Sequence, residues 1–190
     1  MDRSQAIADV CRALANNALD EAESVLRRDY PFAPEAVTKR KYGPVESTRV
    51  FVRDGFRDRY TGDRLVFPPV LRLLALALPA AFPFHPNWKT AVTHPAFWEV
   101  GATIDHLVPV TRGGADDESN WVTTSMARNS AKQNWRIEEL GWQLQAPGRF
   151  AEWDGLIHWF LAYTKSHPET LKTTSVRSWH RAAGLAVAAA

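Results

Sequence analysis

The chain has 190 residues, a formal net charge of +2, 45% hydrophobic residues and 23% charged ones. That balance excludes a disordered or fibrous polypeptide and is large enough for one well-buried core. So small a net charge argues neither for nor against nucleic acid, because DNA binders concentrate basic charge on one face. A single cysteine, Cys11, excludes an internal disulfide. No apolar signal core opens the sequence, and the apolar run from Val66 to Phe84 is broken by Arg72 and four prolines, so no bilayer span is expected and a cytoplasmic protein is.

Ile7, Val10, Cys11 and Leu14 recur on one helical face, Asn16-Asn17 interrupts them, and Leu19, Ala22, Val25 and Leu26 resume the pattern. A helical hairpin over residues 1–34 is predicted, bracing the rest of a single domain, with Cys11 as a buried small hydrophobe. Arg27-Arg28 either complement the dipole of its second helix or contact phosphate, and Pro31 and Pro34 end it. Residues 37–48 are polar and read as a loop, whose cluster Lys39-Arg40-Lys41 either faces solvent or lies along DNA. Val50-Phe51-Val52 reads as a short strand or helix leading into a turn from Asp58 to Gly62.

The Leu/Ala-rich run from Val70 to Leu78, bounded by prolines, predicts a buried helix. It opens an insert, residues 65–103, that continues with Phe82, Phe84, Trp88, Phe97 and Trp98. His85 and His94 within it are nine residues apart with no cysteine or acid in register, which matches no zinc pattern, so structural hydrogen bonding is their expected role.

The most informative stretch runs from Ile104 to Asn134. An apolar strand ends in Asp105-His106, a loop with Gly113-Gly114 follows, Asn120 opens the β-rich run Trp121-Val122-Thr123-Thr124, and a helix then carries Asn129 and Lys132. A carboxylate beside an imidazole at a strand end, with an amide oxygen arriving from a helix, offers two hard oxygen ligands for Mg²⁺ or Mn²⁺ and one base. Phosphodiester hydrolysis needs those parts. Neighbours on a strand face opposite ways, so Asp105 and His106 share a site only if the strand end twists or bends.

The helix of Asn129 is expected to run through Lys132, Trp135 and Arg136 toward Leu140 and to stop at Gly141. Trp142-Gln143-Leu144 reads as an edge strand. Trp153, Leu156, Ile157, Phe160 and Leu161 form the stripe of a core-facing helix, with His158 at its boundary. A last helix runs from Pro168 to about Ala183, ends at Gly184 and carries Lys172, Arg177, His180 and Arg181, which either face solvent or contact DNA, leaving Ala186–Ala190 frayed.

In Asp105-His106, Pro109, Arg112-Gly113-Gly114, Asp116-Asp117, Asn120, Asn129 and Lys132, the stretch resembles the HNH endonucleases, whose ββα-metal fold has this order of elements. The resemblance implies His106 as general base, Asp105 and Asn129 as ligands of one divalent cation, Mg²⁺ or Mn²⁺, and Asn120 as the residue fixing the loop that aims the histidine. Many HNH proteins also hold a structural zinc with two cysteine pairs. Here Asp58, Thr61, Ser125 and Arg128 stand at those positions, so no structural zinc is expected. The aromatic insert is expected to replace it as a source of core, its five rings burying about 150 Å² each.

The expected architecture is one α+β domain: a ββα-metal core over residues 50–140, wrapped by the N-terminal hairpin and by C-terminal helices over 150–184. The expected activity is metal-dependent DNA endonuclease, in a restriction, phage or mobile-element setting, with Arg112, Arg128 and Lys132 on the DNA. Since one site cuts one strand, a double-strand break needs a homodimer or two successive events. The alternative is a non-catalytic nucleic-acid-binding protein on the same scaffold.

Overall fold

Asp2 starts the first helix by accepting a hydrogen bond from the Ser4 amide at 2.9 Å. Helix α1 (Arg3–Ala15) then turns through Asn17, at φ 58°, into α2 (Leu19–Asp29). A computed structural model describes residues 2–32 and 42–190 of the chain. The hairpin is the expected one, and Val10, Ala22 and Val25 of the expected stripe lie in its seam, but in α1 the rest of the seam is shifted by one position to Ala6 and Ala13. Ala6, Val10 and Ala13 face Ala22 and Val25, while Ile7, Cys11 and Leu14 are exposed. Alanines let the two backbones approach closely, and a count of large hydrophobic residues passes over them. The buried role expected of Cys11 is thereby corrected.

The chain divides into two compact units, Met1–Thr38 and Lys39–Ala190, where a single domain is expected. The hairpin has a small apolar cluster of its own, Val10, Ala13, Ala22 and Val25. Pro34 and Lys39-Arg40-Lys41 lie outside the described residues.

The second unit is α+β. Its first element is a helix, α3 (Pro44–Arg53), with proline at the first turn and the Glu46 carboxylate accepting from the Gly43 amide at 2.9 Å. The Asp58–Gly62 turn follows as expected: Gly62, at φ 82°, donates its N–H to the Asp58 carbonyl at 2.7 Å, and Arg57 bridges Arg64. Helix α4 (Pro68–Ala77) and the single-turn α5 (Ala96–Glu99) lead to β1 (Ala102–His106). That strand pairs antiparallel with β2 (Trp121–Ser125), with Ala102 opposite Ser125 and His106 opposite Trp121. Ser125 caps α6 (Met126–Lys132).

Helix α6 ends at Gln133, whose φ of 50° turns the chain out of the helix, so the expected continuation to Leu140 is replaced by a separate 3₁₀ turn, Glu138–Leu140. Trp142–Leu144 is not a strand; the Trp142 amide donates to the Ile137 carbonyl at 2.8 Å, and the following Gln145 amide donates to the carbonyl of Arg59 in the Asp58–Gly62 turn at 2.7 Å. Helix α7 (Ile157–Ser166) begins after Leu156, at φ 68°, so Trp153 and Leu156 precede it, and the Trp153 indole donates instead to the Leu65 carbonyl at 2.7 Å. The final helix, α8 (Thr174–Ala188), passes through Gly184. A glycine inside a helix costs only about 1 kcal/mol, and burial of Ala182, Ala183 and Ala186 offsets it.

The core of this unit joins Phe51 and Phe56, Phe67 and Val70, Ile104 and Trp121, and Ile157, Phe160, Val176 and Ala183. The C-terminal helices therefore complete what a two-stranded sheet cannot bury alone. Rings meet edge to face, Phe67 lying 5.4 Å from Phe160 and 5.5 Å from Trp179. The first part of the insert, with Phe67, Val70 and Leu73, joins that core, but its five expected rings do not: of Phe82, Phe84, Trp88, Phe97 and Trp98 only Phe97 is buried, and they pack on one another, as in Phe84–Phe97 at 4.8 Å. His94 stacks on Phe82 at 4.1 Å and accepts from the Ala96 amide, and His85 accepts from the Asn87 amide, the structural roles expected of both. Among the described residues no helix is long and apolar enough to cross a membrane.

Candidate functional site

The strand pair gathers two clusters, Asp105 with Tyr60 and Lys132, and His106 with Asp116 and Trp121. At the end of β1 the Asp105 and His106 side chains take different partners, as strand alternation requires. Asp105 Oδ2 accepts from the Tyr60 hydroxyl at 2.6 Å and lies 3.0 Å from Lys132 Nζ. Lys132 Nζ also donates to the His106 carbonyl at 2.7 Å, tying α6 to the strand end.

His106 Nε2 lies 2.9 Å from Asp116 Oδ1 and 2.9 Å from the Trp121 indole nitrogen, which is itself 3.3 Å from the same carboxylate oxygen. One ring nitrogen cannot both donate and accept. The assignment that leaves no conflict puts the proton on Nε2, with Nε2–H and the indole N–H both directed to Asp116, and leaves the lone pair on Nδ1. His106 and Asp105 are each 7% exposed.

The loop between the strands is built to deliver Asp116. Asn120 Oδ1 accepts from the Val108 amide at 2.9 Å, and its Nδ2 donates to the Val108 and Ala115 carbonyls at 2.8 Å each. Gly114 sits so close beneath this clasp that a Cβ there would lie 1.9 Å from the Val108 carbonyl oxygen.

From α6, Asn129 Nδ2 donates to the Ile104 carbonyl at 3.0 Å. Among the described residues Asn129 Oδ1 and Asp105 Oδ1 have no hydrogen-bond partner, while the other terminal atom of each side chain is anchored. One carboxylate and one amide oxygen suit Mg²⁺, which keeps most of its waters and takes further oxygens from a substrate phosphate. The Lys132 ammonium beside the same carboxylate opposes that affinity by charge repulsion.

Of the cations expected on DNA, Lys132 is corrected: it is 0% exposed and committed to Asp105 and the His106 carbonyl. Arg112 is paired with Glu139, whose carboxyl it holds below the usual range, and the Arg128 guanidinium lies 4.9 Å from the centroid of the Trp142 ring.

Three residues of this region were not legible as functional. Tyr60 is buried, and its burial, followed by the neighbouring charge of Asp105, pushes the phenol far above its ordinary range. Asp58, 1% exposed, accepts from the Tyr60 and Ser125 amides at 2.9 Å each and from the Thr124 hydroxyl at 3.1 Å. Asp54, 0% exposed, accepts from the Thr123 amide at 2.8 Å and pairs with Arg59 at 3.0 Å. Two buried carboxylates thus clamp the 54–62 turn to β2. The only signal in the sequence is their turn-forming context, Asp54-Gly55 and Asp58 two residues before Tyr60.

No protein-family model, curated protein or solved structure matches the chain.

Proposed function

We propose that the chain is a metal-dependent endonuclease of the HNH type that hydrolyses DNA phosphodiester bonds. The observation that carries the reading is the end of β1. There a histidine with an uncommitted Nδ1 lone pair is held by a carboxylate, next in sequence to an aspartate whose Oδ1 is also uncommitted among the described residues. His106 Nδ1 takes the proton of the attacking water as the new P–O bond forms and the scissile P–O bond breaks, the leaving oxygen departing as an alkoxide that takes its proton from solvent. Asp116 holds the ring and offsets the positive charge the imidazole gains. Asp105 and Asn129 hold the cation, which when bound supplies charge stabilisation at the phosphate and the leaving oxygen. Tyr60 and Lys132 fix the Asp105 carboxylate, and Asn120 fixes the loop carrying Asp116.

The second reading, a non-catalytic nucleic-acid-binding protein, is favoured by one observation, the buried Lys132 against Asp105, because a resident cation can stand in place of a metal. Supercoiled plasmid incubated with Mg²⁺, Mn²⁺ or chelator separates the two. Metal-dependent nicking that His106→Ala abolishes is expected. Binding without nicking in any metal overturns the catalytic reading.

A further inference from the structure

A cavity of about 480 Å³ lies between the insert, α4, β1 and the start of α8. Its walls include Arg72, Phe84, Trp88, Phe97, Thr103 and Trp179. Arg72 is its most informative residue. The guanidinium carbon sits 3.6 Å from the centroid of the Phe84 ring, and among the described residues it has neither an ion pair nor a hydrogen bond. Burial alone lowers its pKa, so the group is held partly out of water with no anion to compensate. A planar guanidinium with five donors in that position is suited to a flat ligand bearing acceptor atoms.

The surrounding rings fit the same ligand. Trp88 is 41% exposed, and none of the rings Phe82, Phe84, Trp88, Phe97 and Trp98 belongs to the main core cluster, so the exposed part of the Trp88 indole offers a stacking surface. The volume falls within the range of about 300–1,000 Å³ usual for small-molecule sites. Thr103 and Ile104 line the cavity and lead directly into Asp105 and His106, and the Tyr42 ring, also in the lining, lies 6.1 Å from that of His106.

We propose that this cavity binds a single unstacked nucleotide, its base against the rings of the insert and an acceptor group on Arg72. The choice of a nucleotide among flat ligands rests on the nuclease reading. Two sources share this chemistry, a free mononucleotide and a nucleotide swung out of the DNA substrate.

Each of the four deoxynucleoside monophosphates, titrated against tryptophan fluorescence, reads the first source. A duplex carrying 2-aminopurine, bound in chelator so that nothing is cut, reads the second through its rise in fluorescence on unstacking. Arg72→Met keeps helix propensity on a partly exposed face of α4, and Trp88→Ala is the second variant, each checked by its melting curve. Saturable binding or a 2-aminopurine rise that weakens about tenfold or more in Arg72→Met supports the site. Wild-type protein that shows neither signal, or variants that retain both at full strength, overturn it. Plasmid nicking is scored in parallel. If Arg72→Met binds nucleotide and DNA like wild type while His106→Ala abolishes nicking, the cavity proposal fails and the nuclease reading stands. If nicking is absent but nucleotides still saturate the protein through Arg72, the nuclease reading fails and the cavity stands as a nucleotide site.

Discussion

Replacing Asp58 with alanine removes the acceptor of two backbone amides, Tyr60 and Ser125, each 2.9 Å away, and of the Thr124 hydroxyl. At 1% exposure the position is closed to bulk water, so the amides are stranded rather than rehydrated. A buried donor without a partner costs about 1–3 kcal/mol, which gives about 2–6 kcal/mol for the two, the rotatable hydroxyl being freer to find another acceptor. In a domain of this size each kcal/mol moves the midpoint by about 2–4 °C, so Asp58→Ala should melt about 5–20 °C below wild type. Asp58→Asn retains one acceptor oxygen but turns an NH₂ toward the other amide, and should lose roughly half as much. The assay is thermal unfolding by near-ultraviolet circular dichroism in chelator, which keeps bound ions from contributing. An Asp58→Ala protein melting within about 2 °C of wild type would refute the reasoning.

His106→Ala should lower nicking by about two to four orders of magnitude while DNA binding persists, measured by plasmid conversion and filter retention; wild-type turnover would place the base elsewhere. Asp116→Asn should reduce kcat by about 10- to 100-fold with KM little changed, and recovery in Asp116→Glu would separate orientation of the imidazole from a loop defect. Metal titrations of nicking should order three variants: Asp105→Ala needs more Mg²⁺ for half-maximal rate than wild type, Asn129→Ala somewhat more, and Lys132→Met less, because a cation 3.0 Å from the ligand carboxylate is gone. A higher midpoint in Lys132→Met contradicts the repulsion argument. Exhaustive chelation should leave the melting midpoint unchanged, since protein groups clamp the 54–62 turn; a loss of more than about 3 °C, with zinc found by metal analysis, would show a structural ion.

The strand, loop, strand and helix from Ala102 to Lys132 are legible because their signals are local: an apolar strand, paired glycines and the β-rich run Trp121-Val122-Thr123-Thr124. The hairpin was legible for the same reason, although its alanine seam was not. What the sequence hides are pairings made across the chain. Tyr60 meets Asp105, and Asp58 meets Ser125, at separations of 45 and 67 residues. Lys132 reads as a surface cation until β1 is placed beside it. The insert reads as core because ring content reports hydrophobicity and not which neighbours the rings will meet. Helix α6 outlasts its real end in the sequence because nothing at Gln133 predicts a left-handed backbone.

Lys132 also bears on how the site responds to its surroundings. With an ammonium already lodged at the strand end, the Asp105 side chain, α6 and the His106 carbonyl are tied together before any divalent ion arrives. Under the proposed function, loading and unloading are then exchange events on a finished scaffold, and the strand pair has no need to refold around its cargo. Activity would follow the ambient Mg²⁺ level in a graded way, and protein purified without metal would keep the same arrangement at the end of β1.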